Sequence, residues 1–433
     1  MKKFTKLMCL FLLLGMASFA QERGISNNSG SWLERWTEFY PNKVDYSEPT
    51  TILKGDISSD IVLKKTNVYI LIGNVFVTNN ATLTIEPGTV IVADSNSKAT
   101  LTITKGAKIM AQGNITDPII FTSDKDSKRA GDWGGLFILG NAPTNKLGNV
   151  GFLASVYPNL EPQDYAKLSY GGENVADYSG ELNYVRIEYA GYSNDSDKTR
   201  GALSFAGVGN TTKVSNVMVS YSESMSFNFV GGKLSTEKLV SLKAKGVDYN
   251  FNLGAVVELN NSLAVRSPYI SSVYESSCIR VNSYLNKEDS NFYDKETNVT
   301  VNHVTVLTDS KDIKTDLSMG LIREAVYVGN HTTFKMNNSV ISGFSKAVLL
   351  GDDIKLNDEN LNKIQFVNSY FNNCLGNIFI EDNTNNSDLE HWYGNPYFSN
   401  VYSKDDHKDI FIDTFGKRPD YRLRIDNIVA DNN

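Results

Sequence analysis

Residues 81–93 read Ala-Thr-Leu-Thr-Ile-Glu-Pro-Gly-Thr-Val-Ile-Val-Ala, and 18 positions later residues 99–111 read Ala-Thr-Leu-Thr-Ile-Thr-Lys-Gly-Ala-Lys-Ile-Met-Ala, with eight of thirteen positions identical. In each copy Leu83 and Ile85, then Leu101 and Ile103, alternate with Thr, which is the period of a half-buried strand. Gly88 and Gly106 punctuate the copies, and a second short apolar strand follows each. A unit of strand, tight turn and strand cannot bury its own apolar face. Stacking such units solves the problem: each strand pairs with its equivalent in the next copy, and the inward Leu and Ile form a continuous core.

Looser versions continue downstream. The stretches beginning at Leu182, Val214, Val301, Met336 and Val367 look like successive copies of one strand, at spacings of 32, 87, 35 and 31 residues. The uneven spacing requires loops of different lengths to leave the stack. A left-handed β-helix would need an aliphatic residue at every sixth position. Stepping by six from Leu83 meets Thr89, Ser95, Leu101 and Ala107, which breaks that rhythm. The right-handed parallel β-helix tolerates irregular coils and is the expected fold. Residues 31–39, with Trp32, Trp36 and Phe39 on one face, are the one helix expected, placed as a cap over the open end of the stack. The chain holds 46 Asn and 32 Gly, two residues that tolerate positive φ, so frequent turns are expected.

A family resemblance rests on the first repeat together with Lys105-Gly-Ala-Lys-Ile-Met-Ala-Gln-Gly113, Asp117-Pro-Ile-Ile-Phe-Thr-Ser-Asp124 and Gly131-Asp-Trp-Gly-Gly-Leu136. Val185-Arg-Ile-Glu-Tyr-Ala-Gly191, Val217-Met-Val-Ser-Tyr221 and Phe227-Asn-Phe-Val-Gly-Gly232 continue it. These stretches resemble a family of exported right-handed parallel β-helix proteins, common in Bacteroidota and without assigned activity. The family often carries an acidic run one coil after that Gly-Gly. The matching stretch here, residues 245–254, keeps only Asp248.

Residues 1–20 read as a secretory signal: Lys2, Lys3 and Lys6, an apolar run from Leu7 to Met16, then Ala17-Ser-Phe-Ala20 for cleavage before Gln21. Cys9 stands before the apolar run rather than after it, so no lipid anchor is expected. The formal net charge is -7, and loss of the three leader lysines takes it to about -10. That balance argues against nucleic acid or anionic lipid bound over a broad surface. No later segment is apolar enough to span a membrane. Cys278 and Cys374 are expected as buried small hydrophobes.

The sequence holds no Gly-x-Ser-x-Gly elbow, phosphate loop or dinucleotide fingerprint. The four histidines, His303, His331, His391 and His407, show no metal-ligand spacing. Asp195-Ser-Asp-Lys-Thr199, residues 94–98 and residues 382–386 depart from a calcium loop. The densest acidic patch is Asp352 and Asp353 with Asp358 and Glu359, read mainly as a solvated loop. A polysaccharide lyase would need a cation or basic group for the uronate carboxylate and a base for the α-proton. Arg266, Arg280 and Lys245 are the candidates, with Asp248 as a cation ligand. Tyr184, Tyr189, Tyr192 and Tyr221 could form an outward ladder for a sugar chain or protein, with Tyr269, Tyr274, Tyr284 and Tyr293 as later aromatics.

The expectation is an all-β chain: a signal peptide at 1–20, a cap segment at 21–50 and a right-handed parallel β-helix at 51–433. The leading function is an exported, non-catalytic protein of the periplasm, outer membrane or medium that binds a glycan or an envelope protein. A β-helix carbohydrate-active enzyme, lyase before hydrolase, is the alternative, and a rigid spacer with no ligand is the third. No cofactor is expected, with calcium at Asp248, Asp352 or Asp353 the one cation considered.

Overall fold

A computed structural model describes residues 22–26, 31–154, 157, 160–192, 201–271, 276–293, 295–380 and 387–424. The leader at 1–20, Tyr274, and residues 195–199 and 382–386 considered for calcium lie outside the described residues. From 51 to 403 the chain winds as a parallel β-helix whose 28 strands form one parallel network. Each coil has three sides. Sheet 1 runs from Ile61–Leu63 through Thr82–Ile85, Lys108–Gln112, Val256–Asn260 and Thr332–Asn337 to Ile364–Val367. Sheet 2 runs from 51–54 through Ile119–Ser123, Leu263–Arg266 and Val340–Ser342 to Val401–Ser403. Sheet 3 runs from 55–57 through Thr100–Ile103, Gly135–Leu139, Met225–Val230 and Tyr249–Asn252 to Gly376–Ile380.

The opening repeat does not set the coil length. Leu83 pairs with Ile109, 26 residues on, and not with Leu101. Leu101 lies on sheet 3 between Val75 and Leu136. The first copy therefore supplies a strand to sheet 1 and one to sheet 2, and the second supplies sheet 3 and the next sheet 1 strand. The repeating unit is one side and its corner. Every side makes the same demand for alternate apolar residues inward, met with Thr outward at 82–85 and 100–103, and the turns at Gly88 and Gly106 both take positive φ, 81° and 91°. Sequence similarity consequently recurs side by side rather than coil by coil.

Downstream, Leu182, Val214, Val301 and Met336 do stand in one inward column of sheet 1. Thr236 and Leu259 stand between Val214 and Val301, so the 87-residue gap holds two further coils. Each of these stretches turns the corner from sheet 1 to sheet 2. The corner residue is Tyr184, Asn216, Lys238, Asn261, His303, Asn338 or Asn368, with φ between 44° and 55°. Asn is favoured there because its side chain eases the left-handed conformation. Beside the corner, Asn337 donates to Asn302 (3.0 Å) and Asn302 to Asn260 (2.9 Å), tying coil to coil. Inside the stack, Phe205, Phe229 and Phe251 lie ring on ring at 5.3 and 4.9 Å, and Phe227 lies on Tyr249 at 5.3 Å. Trp133 is fully buried inside the coil, stacked on Phe121, and its indole N–H donates to Glu188 O at 2.8 Å.

Outer layers cover two of the three sides. On sheet 2, Met218, Val240, Leu242, Leu263, Val265, Leu307 and Val340 form an apolar stripe on the outward side. Residues 22–26 and 31–50 descend along that side, from the last coils to the first. Arg23 donates to Asn368 and Ser399, Gly24 N to Asn338 O, Ser26 N to Asn261, and Thr50 N reaches Val68 O. Gly24, at φ 74°, lies so close that a Cβ would stand 2.6 Å from Thr305 Oγ1. The expected helix at 31–39 is absent: the chain turns at 32–36, stacks Trp32 on Trp36 at 6.2 Å and buries Trp36 and Phe39 on the stripe. The segment is a lateral strap and not an end cap, because the larger uncovered apolar surface lies along the side of the stack. A C-terminal hairpin, Phe411–Asp413 with Asp420–Leu423, packs on the same stripe, with Tyr421 against Phe39 at 6.0 Å. On sheet 3, described residues of segment 140–179 cover Phe76, Phe137, Leu139, Ala206 and Val230.

Candidate functional site

The sequence-selected residues fall into several separate environments. Asp248 is fully buried and Arg266 is 3% exposed. They form an ion pair at 2.6 Å. The guanidinium also donates to Gly246 O (2.8 Å) and Ser271 Oγ (3.1 Å), and Ser241 Oγ donates to the other carboxylate oxygen. Burial pushes the Asp248 carboxyl pKa up, against the pull of the Arg266 charge and the Ser241 hydroxyl. This is an internal brace between coils, closed to a cation and to a substrate proton. Lys245 lies at the surface, paired with Glu223 at 2.6 Å. The Arg280 guanidinium lies over the Tyr327 ring at 4.2 Å. These contacts hold the three lyase candidates in separate roles.

Nor do the four tyrosines form an outward ladder. Tyr189 is buried and stacks on Tyr221 at 5.5 Å across one corner. Tyr184 occupies the opposite corner and meets the strap edge-on at Trp36, 5.9 Å away. Tyr192 lies under the Lys98 ammonium at 4.6 Å. Tyr269 is exposed and donates to Asp316. The thiols of Cys278 and Cys374 are free and buried. No three His, Cys, Asp or Glu side chains come together as a metal site among the described residues.

Four residues singled out from the sequence, Tyr293, His331, Asp353 and Glu359, do line one open cleft of about 410 Å³ at the corner from sheet 3 to sheet 1. One wall is the loop before Thr297–Asn302, carrying Phe292, Tyr293 and Glu296; the other is the turn and helix at 351–363, carrying Asp353, Lys355, Glu359 and Lys363. His331, at φ 54°, sits on the intervening coil. The rings of Phe292 and Tyr293 lie 4.5 and 5.2 Å from the His331 ring, and Tyr284 backs Phe292 at 4.8 Å. Phe292 is buried and Tyr293 is 80% exposed, so the cluster presents an aromatic edge anchored from behind. The loop is tied to segment 140–149: Asn291 N donates to Asn145 O (2.7 Å) and Lys295 Nζ to Asn149 Oδ1 (2.7 Å). Lys363 pairs with Glu296 at 3.1 Å, bridging the walls. Burial, then the Lys287 charge, hold the His331 pKa below its ordinary value, so the imidazole is neutral at pH 7. The cleft thus offers an aromatic face, a neutral imidazole, carboxylates and ammonium groups, a set able to stack on an apolar ring face and bond to hydroxyls. His331 and Phe292 carried no motif; the adjacent pair Phe292–Tyr293 in a polar loop was the visible signal.

A family model described as a pectate-lyase like beta helix domain matches residues 55–402. The chain belongs to this family. No curated protein and no solved structure matches it. Membership in the pectate-lyase-like β-helix family fits the three-sided parallel stack and is compatible with a carbohydrate-binding or polysaccharide-active protein. The match ends at the last coil strand, Val401–Ser403, and leaves out the strap and the C-terminal hairpin.

Proposed function

We propose that this β-helix is an exported, non-catalytic glycan-binding protein that holds a saccharide in the cleft between Tyr293 and the helix Asp358–Lys363. The carrying observation is Tyr293: a ring 80% exposed, beside two other aromatic rings, in a cleft whose remaining lining is mainly polar, with Ile354 and Ile364 buried behind it. An exposed tyrosine is tolerated at little cost anywhere, but one braced by Phe292 and facing hydroxyl-bonding groups matches how sugar rings are held. Lys355 and Asp353 would bond hydroxyls, and His331 would accept or donate through its neutral ring.

A glycan array on the protein from Gln21, run with calcium and with chelator, tests the reading. Retention of one glycan class, with about fivefold weaker binding in Tyr293→Ala, supports it, since an aromatic stacking contact contributes about 1 kcal/mol. A blank array overturns it. Release of unsaturated ends from an acidic polysaccharide, lost in His331→Ala, would replace binding with a lyase working in the same cleft.

A further inference from the structure

A second cleft, of about 580 Å³, lies on the opposite flank, between the strap, the outward side of sheet 2 and the C-terminal hairpin. The volume is within the range of about 300–1,000 Å³ typical of small-molecule sites. Its cations come from three elements distant in sequence. Arg35 and Lys43 belong to the strap, Arg186 to the coil, and Lys417 and Arg418 to the hairpin turn. Arg35 is held at φ 73°, a conformation a side-chain-bearing residue adopts only when its surroundings impose it. Arg186, 8% exposed, forms the floor: its Nε lies 3.4 Å from Glu188, and its Nη2 donates to Tyr46 at 2.7 Å.

The acids of the cleft are differently placed. Asp420 is taken by Arg422 in a two-point pair, with contacts of 2.6 and 2.8 Å. Asp413 accepts the amides of Phe415 and Gly416, both at 3.0 Å, and Glu38 accepts Tyr40 N at 2.7 Å. Glu34 also lines the cleft and is exposed. By contrast, Arg35, Lys417 and Arg418 have no ion-pair partner among the described residues, and all three are exposed. Phe39 and Tyr40 supply an aromatic wall.

We propose that this cleft binds a tetrahedral oxyanion, a phosphate or sulfate group, with Arg35, Lys417 and Arg418 as its donors. Guanidinium forks match such oxygens two at a time, and the ammonium of Lys417 adds an undirected charge. The site is assembled only when strap and hairpin are both seated on sheet 2, so the ligand would clasp the two ends of the chain together and raise stability in proportion to its binding.

The test is thermal unfolding and calorimetric titration of the full chain from Gln21 with inorganic phosphate, inorganic sulfate and glucose 6-phosphate. Glucose and sodium chloride at matched ionic strength are the controls. A rise in Tm with the oxyanions and not with the controls is expected. Tighter binding of glucose 6-phosphate than of inorganic phosphate would assign the group to a sugar ester; equal binding would assign it to the free ion. Lys417→Glu combined with Arg418→Glu should weaken binding at least about tenfold, with unliganded Tm and circular dichroism unchanged. Arg35→Gln, on the other wall, should weaken it separately, and keeps the test open should the double variant fail to fold. Equal stabilisation by sodium chloride, or unchanged affinity in both variants, overturns the proposal.

Discussion

Arg266→Ala separates a brace from a catalytic group. In a lyase, loss of a positively charged substrate contact would abolish activity and leave the fold alone. Here the guanidinium reaches Asp248 (2.6 Å), Gly246 O (2.8 Å), Ser271 Oγ (3.1 Å), Ala244 O (3.4 Å) and Ser277 O (3.4 Å). Truncation leaves a carboxylate with 0% exposure and no counter-charge. Breaking a buried ion pair from one side costs about 3–5 kcal/mol. Summing the five hydrogen bonds separately would overshoot, because all of them are lost in one event and water replaces part of them. Arg266→Lys keeps the charge but loses the fork, and should cost about half as much. Lys245→Ala removes a surface pair whose lysine side chain is 43% accessible, and should cost less than about 1 kcal/mol. Urea unfolding followed by circular dichroism measures the ranking, and hydrogen exchange of residues 244–266 localises it. An Arg266→Ala protein with the wild-type midpoint would refute the brace.

Two further outcomes follow from burial. Burial lowers the His407 pKa to about 4, and Asp309 and Asp406 only partly oppose it. The unfolded imidazole titrates near 6.5, so between pH 6.5 and 4 the unfolded chain binds the extra proton. Stability is complete above 6.5 and falls with pH through that window, by at most about 3 kcal/mol; His407→Gln should flatten the profile in urea titrations run at each pH. Trp36→Ala removes a fully buried indole from the strap and should cost about 3–5 kcal/mol of its docking. Limited proteolysis should then cut within 31–50 while the coils stay protected, and a strap as resistant as wild type would contradict its placement.

The strands were legible because Leu83, Ile85, Leu101 and Ile103 alternate with Thr, the apolar side chains facing the coil interior and Thr the outer side, which Tyr157 of segment 140–179 covers at Thr102. The coil was not, because strands on different sides obey the same pattern, and only pairing distinguishes Ile109 from Leu101 as the neighbour of Leu83. Of the two further coils in the 87-residue gap, one is masked by Lys238 at its corner and by Thr236 in the inward column; the other repeats at Leu259-Asn-Asn-Ser262 the pattern of Met336-Asn-Asn-Ser339 and was legible. Trp32, Trp36 and Phe39 do share a side, yet a turned strap buries them as well as a helix would. For the sites, charge was visible and partnership was not. Asp248 and Arg266 are 18 residues apart, and Tyr293 and His331 are 38 apart; each pair meets only because the coils stack.

Coil length itself points to the cleft. In the sheet 1 column, Val214 to Thr236 takes 22 residues and Thr236 to Leu259 takes 23, about what three short sides and their corners require. Leu259 to Val301 takes 42, and part of the excess is the loop that carries Phe292 and Tyr293. Met336 to Phe366 takes 30, and its excess includes the helix Asp358–Lys363. Both insertions leave at the same corner, one coil apart on either side of His331, so they face each other across a gap that neither needs for stacking. Elsewhere the long additions lie down: the strap and hairpin on sheet 2, segment 140–179 on sheet 3, each burying apolar surface. The insertions at the cleft bury Phe292, Ile354 and Leu361 as well, yet leave Tyr293 in water. A ring left 80% exposed contributes little to the stack, and that is the physical reason to look for a ligand between these two walls.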